Sequence, residues 1–464
     1  MTMWMPDLST EGPRYRAIAE AIADSVADGR LAPGEKLPPQ RRLADELGVT
    51  TGTITRAYAE AERRGWVEAR VGSGTYVRSS DGNTGAHFLA LSDARDGVID
   101  LSLSLPPPSQ LRAESLGRAL RAITEDIDAL HRSVEYQSEQ GTPAHREQLA
   151  AWMGRLGMPV DPATLLITQG GQHGISLALH TLIRPGERIA ADALTYPGLI
   201  SAAQQAHIKV LGIPLDDEGM DVDALERICA QQPPRLVYVT PDQNNPTGIM
   251  LSETRRLQLA ELARRHDFLI LEDGVQYLPE AERGTPMHEL APERTLFLFS
   301  TAKILGGGMR IGAMKVPELL LKRMGGALRA QSWMVPPLMI ETVCRWVSSG
   351  DAGRLLAWQT EELGARQRLA RERLASFEIQ GRPHGANLWL KLPPGLRSAA
   401  MQASLEHAGV RVTSAEPFCV GSAAAPQALR LCLSAAPSRD ILGQALDRIA
   451  EALETPPALP WNTL

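Results

Sequence analysis

The sequence predicts an α/β chain in two parts: a small N-terminal domain of three helices closed by a hairpin, and a large domain on a mainly parallel sheet with a smaller C-terminal α/β lobe. Three observations lead there. The chain is 464 residues long, too long for one ordinary core and suited to one small domain plus one large two-lobed domain. Residues 15 to 64 repeat apolar side chains at helical intervals. Beyond residue 160, short apolar runs such as LLIT, RLVYVT, FLILED and TLFLFS alternate with helical stretches such as HGISLALHTLI and ETRRLQLAELARRH, as strands covered on both faces by helices do.

Composition narrows the class. Hydrophobic residues make up 44% of the chain but no apolar run is long enough to cross a bilayer. Met1 to Glu11 lacks the basic-then-apolar layout of a signal peptide, so the cytoplasm is the expected location. Cys229, Cys344, Cys419 and Cys432 have neither the density of a disulfide framework nor a CxxC metal spacing, and read as reduced core thiols. His173, His180 and His207 lack clustered partners, so no metal site is expected. The net charge of −6 argues against nucleic-acid binding over the whole surface, because such binding rests on neutralising phosphates. Residues 11 to 78 differ: eleven Lys/Arg against ten Asp/Glu leave a balance of +1.

The small domain spans residues 11–78. Ile18, Ile22 and Val26 form one helical face, which Gly29 and Pro33-Gly34 end. A second helix, QRRLADELG, turns Leu43, Ala44 and Leu47 inward and stops at Gly48. Thr50 or Thr51 caps a third helix in which Ile54, Tyr58 and Ala61 are buried, leaving Thr51, Thr53, Thr55 and Arg56 outward. WVEARVGSGTYV then alternates as a hairpin with Gly72-Ser73-Gly74 at its tip. Three helices, a four-residue turn between the second and third, and a hairpin make a winged helix-turn-helix.

Residues 79–97, SSDGNTGAHFLALSDARDG, show little periodicity and read as a linker. In the large domain, 98–464, the polar clusters fall where the strands end: Gln169-Gly170-Gly171-Gln172, Asn244-Asn245-Pro246-Thr247-Gly248, Glu272-Asp273 and Ser300-Thr301-Ala302-Lys303. In parallel sheets chemistry gathers at those carboxyl ends. Together the clusters describe a site for an aromatic aldehyde phosphate. Lys303 can form a Schiff base if its amine is partly desolvated and near other cations. Asp273 can hold a pyridine nitrogen protonated. Gly171 and Gln172, opening a helix, offer amides to a dianion, and Ser300 and Arg310 add a hydroxyl and a planar fork. Tyr196 can stack on the ring and Asn245 can donate to a ring hydroxyl. Each feature taken alone is ordinary, since NPTG is a good turn sequence and a strand-end Asp is often a helix cap. Their order along one chain is what carries the reading.

Two resemblances follow. LAPGEKLPPQRRLADELGVTTGTITRAYAEAERRGWVEARVGSGTYV resembles the GntR-type DNA-binding domain from its PG-LP opening to its G-GT-V wing. That resemblance implies that Arg41, Thr51, Thr53 and Arg56 meet phosphates and base edges of double-stranded DNA, with Gly74 at the wing tip. A recognition helix rich in Thr and poor in Arg implies weak binding per half-site and a role for dimerisation. Residues 98 to 455 resemble the aminotransferases of fold type I, through IDLSLSLPPP, YQSEQGTPAHREQLAAWM, the NPTG box, SxxK followed by Arg310, and LRLCLS. This implies pyridoxal 5′-phosphate on Lys303, Tyr136 reaching the cofactor phosphate of the opposite subunit, and Arg430 gripping an amino acid carboxylate. The two parts joined look like the MocR subfamily of regulators, which are typically head-to-tail homodimers.

Two departures from the aminotransferase pattern stand out. Asp273-Gly274-Val275-Gln276-Tyr277 stands where relatives place a Tyr two or three residues beyond the Asp, leaving the ring hydroxyl to Asn245 with Gln276, or to Tyr277. Gly306-Gly307-Gly308 replaces the usual Pro-Gly after the lysine, loosening the loop that carries Arg310. The leading expectation is a cofactor-dependent transcriptional regulator responding to an amino-acid-like effector. A working amino acid aminotransferase with an incidental head is the alternative, and a cofactor-free dimer scaffold is a third reading.

Overall fold

A computed structural model describes residues 4–6, 13–28, 30–31, 35–64, 66–70, 74–77, 97–421 and 424–454. The chain divides into two compact units, Met1–His87 and Phe88–Leu464. Most of the expected linker lies outside the described residues, as do Gly72 and Ser73 of the hairpin tip.

In the first unit helices Arg14–Ala27, Gln40–Leu47 and Thr51–Arg63 precede the antiparallel hairpin Val67–Arg70 and Gly74–Val77. Ile18, Ile22, Leu43, Ile54, Ala57 and Ala61 are fully buried in one core. The turn between the second and third helices is Gly48-Val49-Thr50, one residue shorter than expected. Gly48 takes a left-handed φ of 60°, which an L side chain disfavours. The Thr50 hydroxyl then accepts from the Thr53 amide at 3.2 Å, so reversal and cap together need three residues. The Tyr58 hydroxyl donates to the Pro38 carbonyl at 2.9 Å and ties the third helix to the start of the second.

In the second unit a seven-stranded sheet runs, edge to edge, through 165–168, 312–315, 295–300, 269–273, 236–239, 188–192 and 209–213. Every pairing is parallel except those made by 312–315. Helices cover both faces, and large apolar clusters form the core, among them one around Trp152 and Phe299 on one side of the sheet and one around Leu199 and Tyr238 on the other. The C-terminal lobe carries a four-stranded antiparallel sheet in the order 379–380, 387–391, 428–432, 413–414. Leu388, Leu390, Leu429 and Leu431 turn from it into a third cluster. Residues 99–100 pair with 410–411, so the chain passes first through the C-terminal lobe and then through the segment 102–107. Among the described residues no helix is long and apolar enough to cross a membrane.

Candidate functional site

In the first unit Arg41, Thr51 and Gly74 are exposed. Gly74 has φ 117°, and a Cβ there would meet Lys36 Cε at 2.8 Å. The Thr53 hydroxyl lies 2.9 Å from that of Thr50, so it helps to build the cap. Thr55 donates to Gln40 Oε1 at 2.7 Å. The Arg56 guanidinium sits 4.5 Å over the Tyr15 ring. Arg41, Thr51, Thr55 and Arg56 are thus all exposed, and of the outward residues Thr53, Thr55 and Arg56 also make side-chain contacts within the domain.

In the second unit the strand Leu165–Thr168 leads into the helix Gly171–Leu182, which no side chain caps. Gly170 has φ 80°, and a Cβ there would lie 2.8 Å from an Arg310 guanidinium nitrogen; one on Gly171 would lie 2.7 Å from Val275 Cγ2. A side chain at either position would clash, so the two glycines let Arg310 and Val275 close on the helix N-terminus. Arg310 is exposed, left-handed at φ 51°, and donates to the Gln169 carbonyl at 2.9 Å. Ser300 is buried and its hydroxyl accepts from the Ala302 amide at 3.2 Å. Gln172 donates to the Gly198 carbonyl at 2.9 Å, while its Oε1 is buried without a partner. An open helix N-terminus beside a guanidinium suits a dianion.

Strand Leu269–Asp273 ends on the acid. Asp273 Oδ2 accepts from the Tyr238 hydroxyl at 2.6 Å and Oδ1 from the Val275 amide at 2.9 Å. Burial raises its carboxyl against these two bonds. Lys303 closes a single 3-10 turn after strand Thr295–Ser300. Its amine donates to the Ser104 carbonyl, and its own carbonyl accepts from Gln359 at 2.7 Å. Desolvation first, with Arg430 and Arg310 nearby, lowers the Lys303 amine to about 8. Tyr196, at the start of helix Pro197–Gln205, is pushed up to about 12, mainly by burial, with Asp273, Arg310 and Arg430 in electrostatic reach.

Arg430, 3% exposed, donates to Asn245 Oδ1 at 3.0 Å and to the Ser102 carbonyl, and lies 4.7 Å over the Phe418 ring. The NPTG turn, residues 245–248, is held by the asparagine that precedes it. Asn244 donates to Asp192 Oδ2 at 2.9 Å, and its Oδ1 accepts from Thr247 through the amide at 3.1 Å and the hydroxyl at 2.8 Å. Burial pushes Asp192 up to about 7.

The two candidates for the ring hydroxyl part company. Gln276 reaches the Ser104 hydroxyl at 3.2 Å, next to the carbonyl that takes Lys303. Tyr277 instead packs on the apolar cluster of Trp152 and Phe299, with Arg283 5.7 Å over its ring. Tyr136 stands 82% exposed with its ring 5.5 Å from Trp333, apart from the cluster formed within its own chain. Gly307–Met309 forms a short 3-10 turn, and Arg310 is pinned to Gln169, so the triple glycine does not leave that arginine unanchored.

Sequence reasoning missed Tyr238, Ser102, Ser104 and Asp192. Tyr238 carried a signal: a tyrosine inside the run RLVYVT has to place its hydroxyl on a partner when buried. Ser102 and Ser104 accept from Arg430 and Lys303 through backbone carbonyls, for which no side-chain pattern exists, and Ser104 adds its hydroxyl toward Gln276.

Residues 97–449 match the aminotransferase class I and II family. The chain belongs to that family. In this aminotransferase-family chain the N-terminal unit is a helix-turn-helix head, matching the bacterial regulatory proteins of the gntR family over residues 14–77. The same two-part layout occurs in its relatives. An uncharacterized HTH-type transcriptional regulator, YdeF, of Bacillus subtilis is 28% identical over 96% of this chain and 95% of its own length. The HTH-type transcriptional regulator TauR of Rhodobacter capsulatus is 28% identical over 88% of this chain and 90% of its own. Among solved structures, a Pyrococcus horikoshii kynurenine aminotransferase superposes with a TM-score of 0.69 at 26% identity, covering 77% of this chain and 91% of that one.

Proposed function

We propose that this aminotransferase-family chain is a transcriptional regulator that binds double-stranded DNA through its head and pyridoxal 5′-phosphate through its large domain, and that an amino-acid-like effector acts on the latter. The observation that carries it is one chain holding both a helix-turn-helix head and a convergent set of amine, acid and guanidinium groups. The residues fit the cofactor on structural grounds. Gly170 and Gly171 bring an uncapped helix N-terminus close against Arg310 and Val275 with no side chain of their own to interpose, and a buried acid lies in electrostatic reach of a lysine whose amine is lowered to about 8.

In this reading Gly171, Gln172, Ser300 and Arg310 hold the phosphate, Tyr196 lies against the ring, Asn245 and Gln276 serve the ring hydroxyl, and Asp273 keeps a proton on the ring nitrogen. Lys303 presents a partly neutral amine to the aldehyde. When bound, the cofactor supplies an electron sink for chemistry at an amino acid's α-carbon. Arg430 orients the effector carboxylate with two parallel donors. Asn245 prepares Arg430 by accepting one of its N–H groups. Exposed Ile127, Val134, Tyr136 and Trp333 support a homodimer in which Tyr136 serves the opposite subunit; a head-to-tail arrangement and a cytoplasmic location belong to the same proposal.

The test is a visible absorption spectrum of the purified full chain with pyridoxal phosphate, beside Lys303→Ala, followed by binding of both to DNA from the neighbouring promoter. A Lys303-dependent band with specific DNA binding supports the regulator. A second reading, an amino acid aminotransferase, is favoured by the convergence of Lys303, Asp273, Asn245 and Arg430 in a fold shared with the kynurenine enzyme. Rapid turnover of amino and keto acids without DNA binding would establish it instead.

A further inference from the structure

The lobe sheet has two faces, and they differ. Strands 387–391 and 428–432 pair so that Trp389 lies opposite Arg430 and Asn387 opposite Cys432. Because side chains alternate along a strand, Asn387, Trp389, Arg430 and Cys432 share one face, while Leu388, Leu390, Leu429 and Leu431 fill the apolar core behind. The face of Arg430 is the face of the candidate site.

Asn387 is 1% exposed, and neither its Oδ1 nor its Nδ2 has a partner. Leaving a whole carboxamide buried and unpaired costs the desolvation of both its edges, and a leucine of similar volume would avoid that cost. A second unpaired donor is close: Gln243 is 3% exposed with a partnerless Nε2, and a Cβ on Gly385, two residues before Asn387, would lie 2.7 Å from it. Gln243 stands two residues before Asn245, which binds Arg430. Diagonal neighbours on paired strands are about 7–8 Å apart, so Asn387 lies one side-chain length from the carboxylate grip. Both groups are neutral. The buried Arg366 is taken by Glu362 and by the Leu433 and Ala436 carbonyls.

We infer that Asn387 and Gln243 read the side chain of the effector, and that the effector is an amino acid whose side chain ends in a carboxamide. An amide can pair with both edges of Asn387 at once, accepting from Nδ2 and donating to Oδ1; a carboxylate can accept from Nδ2 and from Gln243 Nε2 but leaves Oδ1 unpaired beside its charge, and an alkyl group leaves every edge unpaired. This inference rests on the cofactor-and-effector reading above and narrows it.

The experiment titrates the full chain, loaded with pyridoxal phosphate, with L-glutamine, L-asparagine, L-glutamate and L-norleucine, following the visible cofactor band. The expected result is half-saturation by one of the amides at a concentration at least roughly tenfold below glutamate and norleucine, with the preference lost in Asn387→Leu. Thermal stability without amino acid is a second readout: Asn387→Leu should melt no lower than the native protein, since it removes unpaired buried dipoles. A band that responds to all four amino acids alike, or a preference that survives Asn387→Leu, overturns this inference and leaves the proposed function standing. So does a clear drop in the melting temperature of Asn387→Leu, which would mean that a structural partner satisfies the amide. No Lys303-dependent band at all overturns the proposed function, and this inference with it.

Discussion

The Tyr238 hydroxyl donates to Asp273 Oδ2 at 2.6 Å, across strands whose register sets Tyr238 opposite Leu271. The bond stabilises the ionised carboxylate that burial opposes. In Tyr238→Phe the carboxyl should rise further and hold a ring-nitrogen proton less well. Hydrogen bonds to charged groups contribute about 1.5–3 kcal/mol, so pyridoxal phosphate should bind about tenfold more weakly or worse. Equilibrium titration of the cofactor band measures this; unchanged affinity would show that Asp273 does not depend on its neighbour.

The Lys303 amine makes the large domain pH-dependent in a definite direction. Burial lowers it from 10.5 to about 8, so between those values the unfolded chain binds more protons than the folded one. Stability therefore rises with pH across that window. Below about pH 8 the full cost of a buried ammonium is present, and it fades as the amine loses its proton. Denaturant midpoints from pH 7.5 to 10, compared with Lys303→Met, isolate this contribution: the native protein should gain on the variant as pH rises. A parallel pair of curves would mean that the amine is solvated.

Asp192 works with the opposite slope. Its carboxyl is raised from 3.8 to about 7 by burial, so between those values the folded chain binds more protons and stability falls as pH rises. Asp192→Asn should flatten the profile between about pH 4 and pH 7. The carboxamide can turn its oxygen to Asn244 and so keep the turn that presents Asn245. Far-ultraviolet circular dichroism melts across that range decide the matter, and a slope equal to that of the native protein would exclude the assignment.

In the head, exposed Arg41 and stacked Arg56 should separate. Arg41→Ala should weaken binding to all DNA sequences alike and lower the salt slope by about one. Arg56→Ala should mainly lower the stability of the head, by about 0.5–1 kcal/mol, through loss of the contact with Tyr15. Salt-dependent fluorescence anisotropy and denaturation of both variants test the division. An equal loss of DNA affinity would place Arg56 on the DNA as well.

Much of this was legible in the sequence because it depends on period and order. The alternation of LLIT, RLVYVT, FLILED and TLFLFS with helical stretches gives the parallel sheet, and parallel strands expose chemistry where they end, so Gly171, Asp273, Ser300 and Lys303 could be named together. Arg430 opposite Trp389 is a matter of register, which spacing alone does not set. The serine carbonyls of the 102–107 segment were illegible for a deeper reason, since any residue would supply the same backbone oxygen. Nearness along the chain to Asp273 likewise does not say which side of a turn the Gln276 and Tyr277 side chains fall on. The three-residue turn after Leu47 shows the same limit at smaller scale: Gly48 is legible as the stop, the cap stays open between Thr50 and Thr51, and the geometry of Gly48 with Thr50 is set only in the fold.

The head is a compact unit whose apolar cluster draws on residues from Trp4 to Val77. In genetic terms the locus should behave as two cistrons fused. Missense alleles that empty the Ile18, Leu43 and Ile54 core should yield a protein blind to its operator but still yellow with cofactor. Alleles at Lys303 or Asp273 should yield the reverse, and a mixed dimer carrying one of each should reveal whether the two defects complement.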